Sequence, residues 1–433
     1  MKVLLLGSGG REHAIAWKIS QSSLLSKLYV APGNAGTDSI ATNVDLDIMD
    51  FPSIGRFIRK NNVNMLIVGP EAPLCEGIID FFQDSDKFEG LVTIGPRKLG
   101  AMLEGSKDFA KEFMVKHNIP TSDYATFSSD DVKAAKAFLD ERIPPYVIKA
   151  DGLVAGKGVI ITSDRAEAEA TLDDILVGNQ FGTAGSQVVI EQFMDGIEVS
   201  YFVVTDGDAY RILPSAKDYK RVGEGDTGPN TGGMGAVSPV PFVDAEFHTK
   251  TLNQIIIPTI KGLKEDEIPF NGFIFIGLMK VGSDPYVVEY NTRLGDPESE
   301  VVLPRVKSDL LHMFDALGSG MLSEYDLQID ERAATTVILT SGGYPGAYDK
   351  GLNISGLENI PDPKEAIVFH AGTKTSRGKV QTNGGRVIAC TGLGVNLEKA
   401  LERSYKLAES IDYSEKQYRK DIGQDVISKE EKS

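Results

Sequence analysis

Residues 1–104 contain four short apolar runs that each end at Gly or Pro. The runs are KVLLLG, KLYVAP, MLIVGP and LVTIGP. Segments with helical periodicity, such as 12–21 and 53–61, separate them. Strands that alternate with helices in this way are typical of a parallel sheet with crossover helices. The sequence therefore predicts an N-terminal parallel α/β domain over residues 1–104.

The segment VIKADGLVAGKGVIIT, residues 147–162, places a glycine-rich turn between two apolar runs. Gly152 and Gly156 are separated by three residues, whereas a Walker A loop requires four, and Gly158 stands where that loop has a hydroxyl. Both flanks are rich in Val and Ile, so we expect them to be strands. The pattern predicts a hairpin with a mobile tip and excludes a Walker A loop.

Two further regions follow the N-terminal domain. Residues 105–325 mix helices with strands and include the glycine-rich stretch GEGDTGPNTGGMG. Residues 323–332 are polar and acidic, which is typical of a linker, and more strands and a closing helix follow them. We therefore predict three domains, over residues 1–104, 105–325 and 326–433.

Length and charge limit the possible functions. A chain of 433 residues with 25% charged residues is typical of a soluble multidomain protein. The formal net charge of −17 argues against binding to nucleic acid or anionic membranes, because both favour basic patches. Cys75 and Cys390 form no C-x-x-C pair, and no apolar run has the length of a signal peptide or membrane span. We expect a cytoplasmic monomer.

The glycine-rich turn at residues 7–11 follows the first strand and opens the first helix. A nicotinamide-dependent oxidoreductase is disfavoured, because the dinucleotide fingerprint requires Gly where Glu12 stands. Backbone N–H groups at a helix N-terminus still suit a phosphate, and Arg11 adds a positive charge. Gly7, Gly9, Gly10 and Arg11 are therefore candidate anion ligands.

Two other turns end neighbouring strands, PGNAG at 32–36 and GPEAP at 69–73. In an open α/β sheet the carboxyl ends of the strands form the ligand crevice. Each turn alone is more often structural, but three together favour a small-molecule site. The candidates from these two turns are Asn34, Gly69, Glu71 and Pro73.

Lysines in the second region are candidates for nucleotide phosphates. Lys149 lies within an apolar run, where an unpaired charge would be costly. Lys157 lies in the glycine-rich turn, whereas the spacing around Lys107 alone indicates a surface charge.

Glu191 and Glu198 flank a turn at Asp195-Gly196. They are either exposed acids at a strand end or part of a nucleotide site. In the second interpretation adenine lies against the backbone of residues 192–194 and Glu198 accepts the ribose hydroxyls.

The stretch PYVVEYNTRLGDPESE carries Glu289, Asn291 and Arg293. Alternation along a strand places Glu289 and Asn291 on one face. A carboxylate and an amide oxygen beside an arginine suit Mg²⁺ bound between protein and polyphosphate. This stretch predicts a metal site.

Taken together, these residues resemble the ATP-grasp superfamily and, within it, the glycinamide ribonucleotide synthetases. The similarity runs from GSGGREHA to TNGGRVIACTG, and GDTGPNTGGMGAVSP and EYNTRLGDPE are its most specific parts. The resemblance implies an ATP-grasp core of two subdomains, with a mobile lid over about residues 120–195, and a small C-terminal α+β domain. It implies ATP-dependent ligation of glycine to 5-phosphoribosylamine through glycyl phosphate, the second step of de novo purine biosynthesis, with Mg²⁺ or Mn²⁺.

The resemblance also implies roles for individual residues. ATP would contact Lys107, Lys149, Gly152, Gly156, Glu191, Phe193, Met194 and Glu198. The other substrates would contact Gly7, Gly9, Gly10, Arg11, Asn34, Gly69, Glu71, Pro73, Gly295 and Asp296. Among these, the N-terminal loops, including Gly7–Arg11, would bind the 5-phosphate of phosphoribosylamine. The metal would bind Glu289 and Asn291, while Arg293, Asp218 and Lys157 would serve catalysis.

The chain departs from the family pattern at two places. The strand GFIFIGLMK has no acid where many ATP-grasp enzymes offer a further metal ligand, so phosphate and water would hold most of a second metal. Tyr219 stands where the family has His. Two alternatives remain: another ATP-grasp carboxylate–amine ligase, which would differ in the N-terminal loops, and a nucleotide sensor that binds ATP without turnover.

Overall fold

The N-terminal region is a five-stranded parallel sheet flanked by helices, as predicted. The computed structural model of the protein describes residues 1–154, 158–178, 181–360 and 362–430. The sheet order is β3-β2-β1-β4-β5, and every neighbouring pair is parallel. The strands are β1 (Lys2–Gly7), β2 (Lys27–Pro32), β3 (Thr42–Asn43), β4 (Met65–Val68) and β5 (Val92–Ile94). The helices are α1 (Gly10–Ile19), α2 (Phe51–Asn61), α3 (Glu71–Cys75), α4 (Ile78–Gln83) and α5 (Lys98–Gly105).

A smaller antiparallel sheet of four strands follows. Its order is β6-β9-β7-β8, and two helices complete its core. The elements are α6 (Lys107–Lys116), β6 (Tyr124–Ser128), α7 (Val132–Phe138), β7 (Tyr146–Ala150), β8 (Val159–Thr162), α8 (Arg165–Leu176) and β9 (Gln187–Gln192). The hairpin predicted from the glycine-rich turn is present, with Lys149 opposite Val159. Gly156 and Lys157 lie outside the described residues.

The rest of the central region builds a large antiparallel sheet. Its strands are β10 (Ile197–Thr205), β11 (Tyr210–Asp218), β14 (Gly235–Ser238), β15 (Gly272–Val281) and β16 (Asp284–Asn291), and a separate hairpin joins β12 (Arg221–Gly223) to β13 (Thr227–Asn230). The helices are α9 (Ala245–Thr251), α10 (Ile257–Glu265), α11 (Ser299–Val302) and α12 (Leu310–Gly318). The pairing register between β15 and β16 shifts between Gly277 and Leu278. Glu289 and Asn291 therefore lie on the C-terminal side of an irregularity in β16.

The C-terminal region extends this large sheet. Strand β14 pairs with β17 (Ala333–Thr340), and the complete order is β16-β15-β10-β11-β14-β17-β21-β18. The remaining elements are β18 (Ala366–His370), β19 (Thr373–Ser376), β20 (Lys379–Thr382), β21 (Arg386–Gly394), α13 (Leu397–Ser410) and α14 (Gln424–Glu430). The segment expected to be a linker is instead packed: Arg211 donates to the carbonyls of Ser323 and Tyr325. Within the described residues, no helix has the length and apolar character needed to span a bilayer.

Tyr219 explains how the two regions share a core. Its ring is 3% exposed and lies in one hydrophobic cluster with Met234, Val337 and Ile388. Its hydroxyl donates to Asp425 Oδ1 at 2.6 Å. A residue that departs from the family pattern therefore joins the central region to α14.

We expect the fragments 1–325 and 326–433 to be insoluble when they are produced separately. The cut would expose the edge of β14 and the apolar side chains of Met234 and Val237, which are buried against the C-terminal region. Solubility and thermal melting of each fragment, compared with the two produced together, check this. A soluble, cooperatively melting 1–325 fragment would contradict it.

Candidate functional site

Arg293 lies where the N-terminal and central regions meet. Its Nη2 is 2.8 Å from Glu104 Oε1, and its Nε is 3.4 Å from Glu71 Oε2. Asn291 Oδ1 accepts a further hydrogen bond from Nη2 at 3.2 Å. Burial raises the pKa of Glu104 although Arg293 opposes the shift. The predicted catalytic arginine of the central region is thus held by two carboxylates of the N-terminal region, beside the predicted metal ligand.

Arg11 also lies where the N-terminal and central regions meet. Its Nη1 donates to the Leu294 carbonyl at 2.9 Å, and its Nη2 is 3.9 Å from Glu71 Oε2. Its backbone N–H donates to Asp296 Oδ2 at 3.1 Å. The predicted substrate residues Arg11, Glu71 and Asp296 are therefore brought together, although they are far apart in sequence.

Glu12 fills the concave side of the N-terminal turn. Its Oε2 accepts the N–H of Gly9 at 2.6 Å, and its Oε1 accepts from Arg11 Nε at 2.8 Å. A Cβ at Gly7 or Gly69 would collide with this side chain. The glycines predicted to bind substrate surround a carboxylate of the protein itself. Pro73 lies in the buried part of α3 behind Gly69.

Asn34 connects the N-terminal turn to the C-terminal region. Its Nδ2 donates to the carbonyls of Ser8 at 2.9 Å and His370 at 2.8 Å. Next to it, the N–H of His370 donates to His13 Nδ1 at 2.7 Å. Burial lowers the pKa of His13 to about 3, so the neutral ring is available as an acceptor. Asn34, predicted to bind substrate, holds the walls of a cavity in position.

That cavity measures about 610 Å³, which is the size range of small-molecule sites. The N-terminal turns line one side, Asp296 lies in its wall, and strands of the C-terminal region close the other side. Arg386 Nη2 contacts Asp296 Oδ1 at 3.0 Å. The C-terminal contribution was not predicted from the sequence: Arg386 lies in the family motif TNGGRVIACTG, but nothing local to that motif indicates its contact with Asp296.

Lys149 and Glu191 form a buried ion cluster with Lys111. Glu191 Oε1 is 2.7 Å from Lys149 Nζ, and its Oε2 is 3.0 Å from Lys111 Nζ. Burial opposes ionisation of Glu191, but the two lysines hold its pKa at about 2. Burial lowers the pKa of Lys111 to about 8. Lys111 was not predicted as a site residue, although its i+4 spacing from Lys107 places both side chains on one face of α6.

The other predicted nucleotide residues lie around this cluster. Lys107 Nζ donates to the carbonyl of Gly152 at 3.2 Å, and Lys149 Nζ donates to the carbonyl of Val288 on β16, the strand of the predicted metal ligands, at 3.4 Å. The two antiparallel sheets therefore meet at Lys149. Phe193 and Met194 follow β9 and are half-buried.

Glu198 pairs with a second lysine that the sequence analysis missed. Lys220 Nζ lies 2.7 Å from Glu198 Oε2. Burial favours neutral Lys220, but Glu198, Asp218 and Glu289 together raise its pKa. Burial, followed by the neighbouring carboxylates of Glu198 and Glu289, raises the pKa of Asp218. This edge of the site carries an excess of acids.

Glu289 and Asn291 lie on one face at the end of β16, as predicted. Among the described residues, the Glu289 carboxylate makes no hydrogen bond or ion pair, and the buried Nδ2 of Asn291 also has no partner. No cluster of three His, Cys, Asp or Glu suitable for a metal occurs in the described part of the chain. Gly295 is packed closely against Glu298. Burial and the neighbouring carboxylate of Asp218 raise the pKa of Glu298 to about 8.

Two sheets that meet at a buried lysine, with oxygen ligands at the end of the neighbouring strand, define an ATP-grasp enzyme. Three domain models of phosphoribosylglycinamide synthetase match consecutive parts of the chain. The N domain matches residues 1–104, the ATP-grasp (A) domain 105–299, and the C domain 334–425. The chain belongs to the phosphoribosylglycinamide synthetase family.

Relatives with known names cover the whole chain. A phosphoribosylamine–glycine ligase of Vibrio cholerae serotype O1 is 45% identical over 435 residues, covering 100% of both chains. One of Escherichia coli O6:H1 is 47% identical over 438 residues with the same coverage. The crystal structure of the Thermotoga maritima phosphoribosylamine–glycine ligase is 34% identical with a TM-score of 0.82, covering 97% of this chain and 100% of that one. The biotin carboxylase domain of Hydrogenobacter thermophilus 2-oxoglutarate carboxylase, 15% identical with a TM-score of 0.74, covers 96% of this chain and 91% of its own and shares the fold.

The substitution Glu191→Gln is expected to lower stability by about 3–5 kcal/mol at pH 7, because it leaves two buried lysines without their counter-ion. Because the pKa of Glu191 falls from 4.5 to about 2 on folding, its contribution is present above pH 4.5 and is lost as the pH falls towards 2. Melting temperatures at several pH values should therefore show a gap between the two proteins that narrows below pH 4.5.

The matched control for this prediction is Glu402→Gln, which removes an exposed ion pair to Lys399. Surface pairs contribute about 0–1 kcal/mol, so its melting temperature should stay close to that of the wild type. A Glu191→Gln variant that melts like the control at pH 7 would show that the buried cluster does not stabilise the fold.

Proposed function

We propose that the protein ligates glycine to 5-phosphoribosylamine with ATP, releasing ADP, phosphate and glycinamide ribonucleotide. This is the second step of de novo purine biosynthesis. Full-length similarity to named phosphoribosylamine–glycine ligases supports the reaction. The geometric observation that carries it is the 610 Å³ cavity, whose wall includes Asp296, five residues after the predicted metal ligand Asn291.

The reaction proceeds in two steps. The glycine carboxylate attacks the γ-phosphoryl group of ATP, and ADP leaves. The amine nitrogen of phosphoribosylamine then attacks the carbonyl carbon of glycyl phosphate, phosphate leaves, and the nitrogen loses a proton. Transfers of this kind depend on positioning and charge stabilisation more than on a protein nucleophile.

We propose that Lys107 and Lys149 bind the ATP phosphates and that Arg293 stabilises the charge that develops on the transferred group. The buried carboxylates around Arg293 fix its guanidinium in one place, so little reorganisation is needed. Asp218 and Lys157 stay predicted catalytic residues, the latter in the turn of the β7–β8 hairpin. We propose that this hairpin covers the phosphates and shields the acyl phosphate from water.

Glu289 and Asn291 provide hard oxygen ligands that fit Mg²⁺ or Mn²⁺. The half-buried carboxylate of Glu289 makes no hydrogen bond or ion pair among the described residues, so it is available to a cation. A bound divalent ion would neutralise charge on the β- and γ-phosphates. The two side chains would hold the ion, while Arg293 donates to the Asn291 oxygen and fixes its position.

We further propose a cytoplasmic monomer. Both cysteines are free thiols, which suits a reducing compartment.

The function is tested by ADP release from ATP with glycine and phosphoribosylamine formed in situ from ribose 5-phosphate and ammonia. We expect release only when all three substrates are present, with a new amide in the product. ADP release that does not depend on glycine, or that is equally fast with valine, would favour a different ATP-grasp ligase. Nucleotide binding without any release would indicate a sensor.

The substitution Glu289→Gln should shift the Mg²⁺ dependence of activity to higher concentration and reduce the rate on the order of 10²-fold, because the site loses its charge. Its metal-free melting temperature should stay unchanged, because the carboxylate has no partner among the described residues. Activity against Mg²⁺ concentration, with melting curves, measures both.

Asp284→Asn is the matched control on the same strand, because Asp284 pairs with Lys250 at the far end of β16. It should leave the Mg²⁺ curve in place. If Glu289→Gln keeps the wild-type metal curve and melts at a lower temperature, the carboxylate has a structural role and the metal assignment is wrong.

A further inference from the structure

The N-terminal turn is already occupied by carboxylates of the protein. Glu12 accepts the N–H of Gly9, and Asp296 accepts the N–H of Arg11. These are the amides that a phosphate at the N-terminus of α1 would use. A substrate phosphate placed there would meet two negative charges at contact distance. The strongest anion site must therefore lie elsewhere in the cavity.

The opposite wall of the cavity carries hydrogen-bond donors and a positive charge. It is formed by the β19–β20 hairpin and the loop after it, which place Lys374, Thr375 and Asn383 at the cavity. Within the described ranges, none of these three side chains makes a hydrogen bond or ion pair. An ammonium, a hydroxyl and an amide are the donors that suit a phosphate monoester.

Other charged side chains in and near the cavity add to the difference between its two walls, with cations on the β19–β20 side and acids on the opposite side. Two more cations, Arg377 and Lys379, lie at the hairpin tip and also have no ion pair in the described part of the chain. The acids that line the cavity, Asp38 and Asp296, belong to the N-terminal and central regions. Arg386 is not available, because Asp296 and the carbonyl of Gly232 occupy its guanidinium.

We propose that the β19–β20 hairpin binds the 5-phosphate of the substrate, with Lys374 as its principal ligand. The proposal rests on the function proposed above and adds the orientation of the phosphorylated sugar. Asp38 faces the sugar hydroxyls, and the C1 amine points towards Asp296.

The chemistry requires the same orientation. The amine must reach the glycyl phosphate, which forms beside Arg293 and the end of β16. Asp296 follows Arg293 by three residues and lies at that end of the cavity. A phosphate at the N-terminal turn would lie against Asp296, which accepts the N–H of Arg11, whereas a phosphate at the β19–β20 hairpin leaves the space beside Asp296 to the amine.

The test measures calorimetric binding of ribose 5-phosphate, ribose and inorganic phosphate, each with and without ATP. Ribose 5-phosphate carries the same phosphate and sugar as the substrate. We expect Lys374→Met to weaken binding of ribose 5-phosphate about tenfold, the usual contribution of one charge-assisted hydrogen bond, and to leave ribose binding unchanged. Lys374→Arg should retain most of the affinity.

The matched control is Lys406→Met, which removes an exposed lysine from α13 in the same region. It should bind all three ligands like the wild type. In turnover, Lys374→Met should raise the KM for the amine substrate about tenfold and leave the KM values for ATP and glycine unchanged.

Wild-type affinity for ribose 5-phosphate in Lys374→Met would overturn the proposal, as would an equal loss of ribose and ribose 5-phosphate binding. A wild-type protein that binds no ribose 5-phosphate, with or without ATP, would overturn it as well. Binding that depends on Lys374 in a protein that releases no ADP with glycine would leave this site standing and refute the proposed reaction instead.

Discussion

The arrangement of the N-terminal and central regions depends on ion pairs formed where the two regions meet. Arg293 is shared by Glu104 and Glu71, and Glu71 also faces Arg11. Removing one member of such a network leaves an uncompensated buried charge, which typically costs about 3–5 kcal/mol. The regions are thereby held in one relative position, and Arg293 is held at the end of the metal-ligand strand. Structural stability and placement of the reacting groups follow from the same contacts.

In the turn at residues 7–11, a carboxylate of the protein occupies the space where related folds bind a phosphate. A parallel sheet followed by a glycine-rich turn usually presents free amides to a phosphate. Here Glu12 occupies that space and ties the turn to Arg11. The concave site is thereby closed to a pyrophosphate, and the larger cavity beside it remains for a substrate.

Local sequence patterns predicted much of the fold and only part of the site. The parallel sheet and the β7–β8 hairpin were predicted correctly, because periodicity and glycine placement act over a few residues. Glu289 and Asn291 were placed correctly on one face for the same reason. Lys111 and Arg386 were missed, because their roles depend on partners 80 and 90 residues away, Glu191 and Asp296. The roles assigned to individual site residues stay predictions.

The pairing of β14 with β17 has an evolutionary consequence. A domain that is joined by a flexible linker can be exchanged between genes as a unit. Here the C-terminal strands complete the sheet that carries the metal-ligand strand, and Tyr219 is embedded in their core. Recombination at this boundary would have to replace both sides of the sheet together. We therefore expect the central and C-terminal regions to have been inherited as one piece, with sequence changes on β14 matched by changes on β17.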